Sequence, residues 1–131
     1  MNFPQELRYT KTHEWARRDG SRITVGVTDY AQKEISDVVF VELPKAGQTG
    51  SQGKPIAVVE SVKAAFDIYA PVSCRILKVN SDLESNPGLV NQEAYGAGWF
   101  FEAELAQPAE WEALLTAKAY EEHIKQEASK H

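Results

Sequence analysis

The sequence has one cysteine, Cys74. That excludes an internal disulfide and a zinc site built on several thiolates, and makes a reducing compartment the simpler expectation. Excess positive charge is also missing. Lys and Arg number 14 against 19 Asp and Glu, for a formal net charge of −5. Phosphate binding needs a basic face, so nucleic acid is not expected as a partner. No apolar run approaches the length that spans a bilayer, so no membrane partner is expected. The opening MNFPQELRYTKTHEW has neither the apolar core of a signal peptide nor the Arg/Ser-rich character of a transit peptide. The expected location is the cytoplasm, or the mitochondrial matrix if the source is a eukaryote and the chain is already processed. Catalytic signatures are absent too: there is no HExxH, CxxC, EF-hand loop, GxSxG elbow or GxxxxGK[ST] loop. His13, His123 and His131 lack metal-ligand spacing, so no metal is expected. Cys74 lies in a strand-like run and reads as a buried small hydrophobe, not a nucleophile.

The sequence does contain many short β-prone runs. Its 131 residues suit one domain with one core. RITVGV (22–27), VVFVEL (38–43), PIAVVESV (55–62), AFDIYAPV (65–72), RILKV (75–79) and WFFEAEL (99–105) read as strands separated by Gly- and Asn-containing turns. Such a series points to a sandwich or barrel. A short helix is expected near Thr28 and Asp29, where Asp29-x-x-Gln32 resembles a capping box. A longer helix is expected over residues 109–126, with Trp111, Leu114, Leu115, Ala119 and Ile124 on its apolar face, as a lid on the sheet core. Asn86-Pro87 reads as the start of one extra turn, with Pro87 at the first helical position. A faint internal echo aligns residues 36–41 with 74–79 and suggests two similar half-sheets about a pseudo-twofold axis.

One stretch stands apart. In VVESVKAAFDIYAP (58–71) β-prone residues flank a single lysine, Lys63, with Ala64 and Ala65 beside it. A lysine there can solvate a turn, discourage edge pairing or serve as a chemical handle on a flexible four-carbon stem. A tight hairpin would push the amine outward. Slender neighbours (Ser61, Val62, Ala64) would let the tip enter another protein's pocket, and Glu60 and Asp67 would orient it or be read by a modifying enzyme. Spacing alone leaves all three uses open.

ESVKAAFDIYAPVS resembles the lipoyl-attachment hairpin of the glycine cleavage H-protein family. KTHEW (11–15), GVTDYAQ (26–32), DVVFVELP (37–44), PGLVN (87–91) and YGAGW (95–99) are each similar to signatures of that family, in the same order over nearly the whole chain. The resemblance implies a mainly β fold spanning 1–131 as a single lipoyl-carrier domain. This is a hybrid barrel-sandwich of two small antiparallel sheets with a short internal helix and a C-terminal helix. It implies lipoic acid joined as an amide to Lys63, with Glu60, Ser61, Val62 and Ala64 forming the attachment hairpin. It implies a shuttle that is not itself an enzyme. The partners would be the pyridoxal-phosphate glycine decarboxylase (P protein), the aminomethyltransferase (T protein), dihydrolipoyl dehydrogenase (L protein), and a lipoate ligase or lipoyl/octanoyl transferase. The carried group is an aminomethyl cation, for which a sheltering surface cleft is implied. Glu14, by its match in THEW, and Asp67, in the hairpin, are the candidate acids of that cleft. A turn residue beside a core tryptophan is the other reading of Glu14. A monomer is expected.

Three residues depart from the family pattern. Ser36 and Cys74 stand where glycine is usual, and Ala94 where proline is frequent. Glycine before a strand often marks a bulge or positive φ, so these positions call for an altered backbone path or a strained one. They also keep an alternative open: a divergent relative that relays lipoyl groups to other acceptors. A biotinyl carrier fits less well, because biotin acceptors place methionines beside the lysine where this chain has Val62 and Ala64.

Overall fold

The computed structural model describes residues 3–129. Strands β1 (Arg8–Tyr9), β2 (Glu14–Asp19) and β3 (Arg22–Val27) lead into helix α1 (Asp29–Ile35). Then come β4 (Val38–Glu42), β5 (Thr49–Gly50), β6 (Pro55–Ser61), β7 (Ala65–Tyr69) and β8 (Cys74–Val79). Two short helices, α2 (Asp82–Ser85) and α3 (Leu89–Gln92), precede β9 (Phe101–Leu105), and α4 (Pro108–Glu112) and α5 (Ala117–Ser129) close the chain. A six-stranded sheet has the order β1-β2-β3-β9-β8-β5 and a three-stranded sheet the order β4-β6-β7. Every neighbouring pair is antiparallel. The architecture is mainly β, as expected.

The alternation of RITVGV puts Ile23 and Val25 into the space between the sheets, where they join Val41, Val59, Ile76 and Phe101 in one core. A second cluster lies on the other side of β2. It gathers Leu7, Tyr9, Trp15 and Tyr120, with the rings of Tyr9 and Tyr120 stacked at 4.7 Å. Trp15 lies so close over β3 that a Cβ on Gly26 would come within 2.6 Å of its ring. Only glycine fits there. Cys74 is buried, and burial pushes its thiol up to about 11, as a core residue and not a nucleophile requires.

The structure revises several expectations. The capping residue of α1 is Thr28, whose hydroxyl accepts from Ala31 N–H. Gln32 instead donates its side-chain amide to Asp29. The expected helix over 109–126 is two helices. Leu115 exchanges both backbone hydrogen bonds with Tyr9 at 2.8 Å, an extended pairing that no helix allows, and Thr116 then starts α5 by accepting from Ala119 N–H. The extra turn after Asn86-Pro87 exists, but its helix begins at Leu89. The echo segments do not make equal half-sheets: β4 is the edge of the three-stranded sheet, whereas β8 lies inside the six-stranded one. Ser36 takes φ 73° and ψ −164°, a region that is essentially glycine's. Cys74 is ordinary extended strand, pairing with Gly50 and Leu105.

Candidate functional site

The hairpin of β6 and β7 closes over residues 61–64, where Glu60 pairs with Ala65. Ser61 braces the turn from within. Its N–H donates to Ala64 O at 2.8 Å, and its hydroxyl accepts from the backbone of Lys63 (3.1 Å) and Ala64 (3.3 Å). Val62 N–H donates to Asp37 O at 3.0 Å, pinning the tip to the residue before β4. The backbone under Lys63 is thus fixed from two sides while its side chain stays exposed. The ammonium donates to Glu34 O at 3.2 Å and makes no ion pair among the described residues.

That contact places the amine at the rim of a cleft of about 510 Å³, because Glu34 is one of the residues lining it. Val27, Ala31, Ile35, Phe66 and Ile68 give the cleft an apolar floor, and Asp67, Glu34 and Glu127 bring carboxylates to its wall. The group that suits such a space is a slender apolar chain ending in a cation.

The two candidate acids separate here. Asp67 is exposed and lines the cleft. Glu14 is only 1% exposed and lies outside the lining. Its carboxylate accepts from the Thr10 and Thr12 hydroxyls and from Tyr69 N–H of β7 at 3.1 Å. Burial pushes its pKa up, while those hydrogen bonds hold the charged form. Glu14 therefore ties the hairpin strand to β2 and touches the cleft lining only indirectly, through the Thr12 hydroxyl and that strand.

Six further residues line the cleft. Tyr30, Ala31, Glu34 and Ile35 recur on one side of α1, a helical spacing that sequence could have revealed. His13 and Glu127 had no local signal. They meet because α5 packs back over the β2 region: His13 Nε2 lies 3.3 Å and His123 Nε2 3.0 Å from Glu127. His13 Nδ1 lies 2.8 Å from the Tyr120 hydroxyl, which is 2.7 Å from Thr28, the cap of α1. The histidines that looked unrelated in sequence share a carboxylate; His131 lies outside the described residues. Among the described residues no group of His, Cys, Asp and Glu has the arrangement of a metal site, and no helix is long and apolar enough to cross a membrane.

A profile described as Glycine cleavage H-protein matches residues 7–127. The chain belongs to the glycine cleavage H-protein family. Two relatives named glycine cleavage system H protein show how close the family match is. One, from Laribacter hongkongensis, is 50% identical over 94% of this chain and 98% of its own length. The other, from Thermus thermophilus, is 49% identical over 98% of this chain and 100% of its own length. A crystal structure of a glycine cleavage system H protein from Mycobacterium marinum superposes with a TM-score of 0.79 at 34% identity, covering 90% of this chain and 95% of that one. Membership of the H-protein family accounts for the order of the sequence signatures and for the two-sheet architecture.

Proposed function

We propose that this chain is the lipoyl-bearing shuttle of the glycine cleavage system and that Lys63 is the residue acylated by lipoic acid. The observation that carries the reading is the exposed amine of Lys63 on a braced hairpin tip, at the rim of an apolar cleft walled by carboxylates. The chain is a carrier and not a catalyst. Its partners are the glycine decarboxylase, the aminomethyltransferase, dihydrolipoyl dehydrogenase and the enzyme that attaches the arm. A relay of lipoyl groups to other acceptors is the weaker alternative, because the family match covers nearly the whole chain.

The residues fit the group. The Lys63 amine is held only by a backbone carbonyl, so amide formation disrupts no ion pair among the described residues. When bound, the lipoyl group supplies reversible thiol–disulfide chemistry and a one-carbon amine load at the end of a flexible arm. The chain supplies the rest. Ser61 and Asp37 hold the base of the arm still, so the sites it visits lie within a fixed radius of the tip. Phe66, Ile35 and Ala31 exclude water along the cleft. Asp67, with Glu34 and Glu127, offers negative charge to a cationic load. Glu14 keeps β7, and with it Asp67, in place.

The test is reconstitution. The lipoylated chain is combined with the decarboxylase, aminomethyltransferase and dihydrolipoyl dehydrogenase, and NADH formation from glycine and tetrahydrofolate is followed. Wild type is expected to support turnover and Lys63→Arg none, with both equally folded. Turnover by Lys63→Arg would sink the proposal.

A further inference from the structure

The cleft uses β7, one edge of the three-stranded sheet. The opposite edge, β4, bears a feature that carrying a load does not require. Val39, Phe40 and Val62 are the large apolar side chains left exposed among the described residues, at 55, 51 and 70%. They fall together. Val62 is next to Lys63 and its N–H bonds to Asp37 O, while Val38 pairs with Ser61 and Phe40 with Glu60. The register shifts between Val38 and Phe40, and this bulge is why both neighbours face outward; strict alternation would bury one of them. An exposed apolar edge strand is an aggregation hazard, so its retention beside a modifiable lysine calls for a partner. Acidic residues border it: Asp37, Glu42 and Glu60 are all exposed. The nearest base along the strand is Lys45, beyond its far end. A groove of about 560 Å³ continues from Phe40 past Val41 and Leu43 toward Glu84.

We propose that Val39, Phe40 and Val62 form the docking face for the enzyme that acylates Lys63, an acyl-transferring enzyme whose contact surface presents an apolar groove bordered by Lys and Arg. This rests on the reading of Lys63 as the lipoyl acceptor. Reach selects the occupant. An enzyme acting on the dithiolane meets the far end of a long arm and can stand away from the hairpin. The acylating enzyme must bring its activated acyl group to an amine only four carbons from the backbone, so it closes onto the surface around the tip. Charge agrees, since a rim of Asp37, Glu42 and Glu60 favours a basic border. In the step itself, Lys63 Nζ bonds to the carbonyl carbon of an acyl adenylate. The acyl–phosphate bond breaks, AMP leaves and an amine proton passes to solvent, with no change in oxidation state. Because β4 and β7 are opposite edges, an arm lying in the cleft leaves this face uncovered.

The experiment measures initial rates of lipoylation by a lipoate ligase with ATP and lipoate, read by intact mass, for the full chain. The double variant Val39→Ser/Phe40→Ser is expected to lose about tenfold or more in kcat/KM as acceptor, mainly through KM. Phe40→Leu should stay within about twofold of wild type. Fully loaded by long incubation, the double variant should serve the decarboxylase as wild type does. If the double variant folds poorly, Phe40→Gln alone takes its place. Wild-type lipoylation rates in the double variant would overturn the proposal. So would a defect that appears instead at the decarboxylase step. Absence of acylation at Lys63 in wild type is a separate result: it would remove the reading beneath, and the docking face with it.

Discussion

The six-stranded and three-stranded sheets differ most on their outer sides. Outside the larger sheet, Trp15 and Tyr9 lie fully buried beneath Tyr120 of α5. Outside the smaller one, Phe40, Glu60 and Lys63 stand in solvent. One half of the molecule is sealed twice, by the common core and by an aromatic cluster. The other is sealed once and left bare where other proteins must reach it. The bare half is not thereby loose. Its tip is held by hydrogen bonds through Ser61 and Asp37, and its β7 strand by the Glu14 carboxylate, which reaches across from β2. A small fold can thus present a lysine rigidly. Burial is spent on the half that need not be touched, and a few directional bonds transmit that rigidity to the half that must be.

Breaking the sealed half should have the largest effect. Trp15→Ala opens a cavity between β3 and α5 and should cost about 3–5 kcal/mol in urea unfolding. A cost near zero would mean that the aromatic cluster is ornamental. Severing the link between the halves comes next. Glu14→Ala leaves Tyr69 N–H and two hydroxyls without their acceptor and should cost about 1–3 kcal/mol. Amide exchange should also quicken along β7, a readout that a merely local defect near Thr10 would not give.

Smaller changes sharpen the comparison at the junction of the sheets. Ser36 sits in glycine's backbone region, so Ser36→Gly should raise stability by about 1 kcal/mol, seen as a higher denaturation midpoint. The α5 seal should also weaken in mild acid. Burial holds the His13 pKa below its ordinary 6.5, the Glu127 carboxylate opposing that shift and His123 adding to it. The unfolded chain thus binds a proton that the folded one resists. Stability from this group is full above pH 6.5 and is lost as pH falls from there toward the folded value. His13→Gln should flatten the stability profile between about pH 7 and pH 5. Glu14, whose pKa is raised by burial, acts with the opposite sign: its contribution grows as pH falls through its folded value toward 4.5.

Much of this arrangement was legible in the residues. RITVGV, VVFVE and the paired runs around Lys63 alternate or cluster as strands, and they are strands. EWARRD hid β2. Glu14, Trp15 and Ala16 are all buried and the next three residues are all exposed, so neither alternation nor a continuous apolar run marks it. The break at residues 113–116 was hidden for a related reason. Leu114 and Leu115 keep helical spacing with Trp111, but Leu115 is claimed by a backbone partner more than 100 residues away, Tyr9. Within the site, the tip was legible because it is local. The cleft wall was only half legible: Asp67 belongs to the hairpin, but His13 and Glu127 meet through α5 packing, which no short window contains. The match of THEW points to Glu14 as a cleft acid, and the fold uses it one layer deeper.

The most direct measurement of the central claim is the peptide-resolved mass of the chain after exposure to lipoate ligase, ATP and lipoate, for wild type and for Lys63→Arg. The account predicts one lipoyl-sized gain in wild type, located on the peptide holding Ser61 to Ala64, and none in the variant. A gain that persists in Lys63→Arg, or a wild type that takes up nothing, would contradict it.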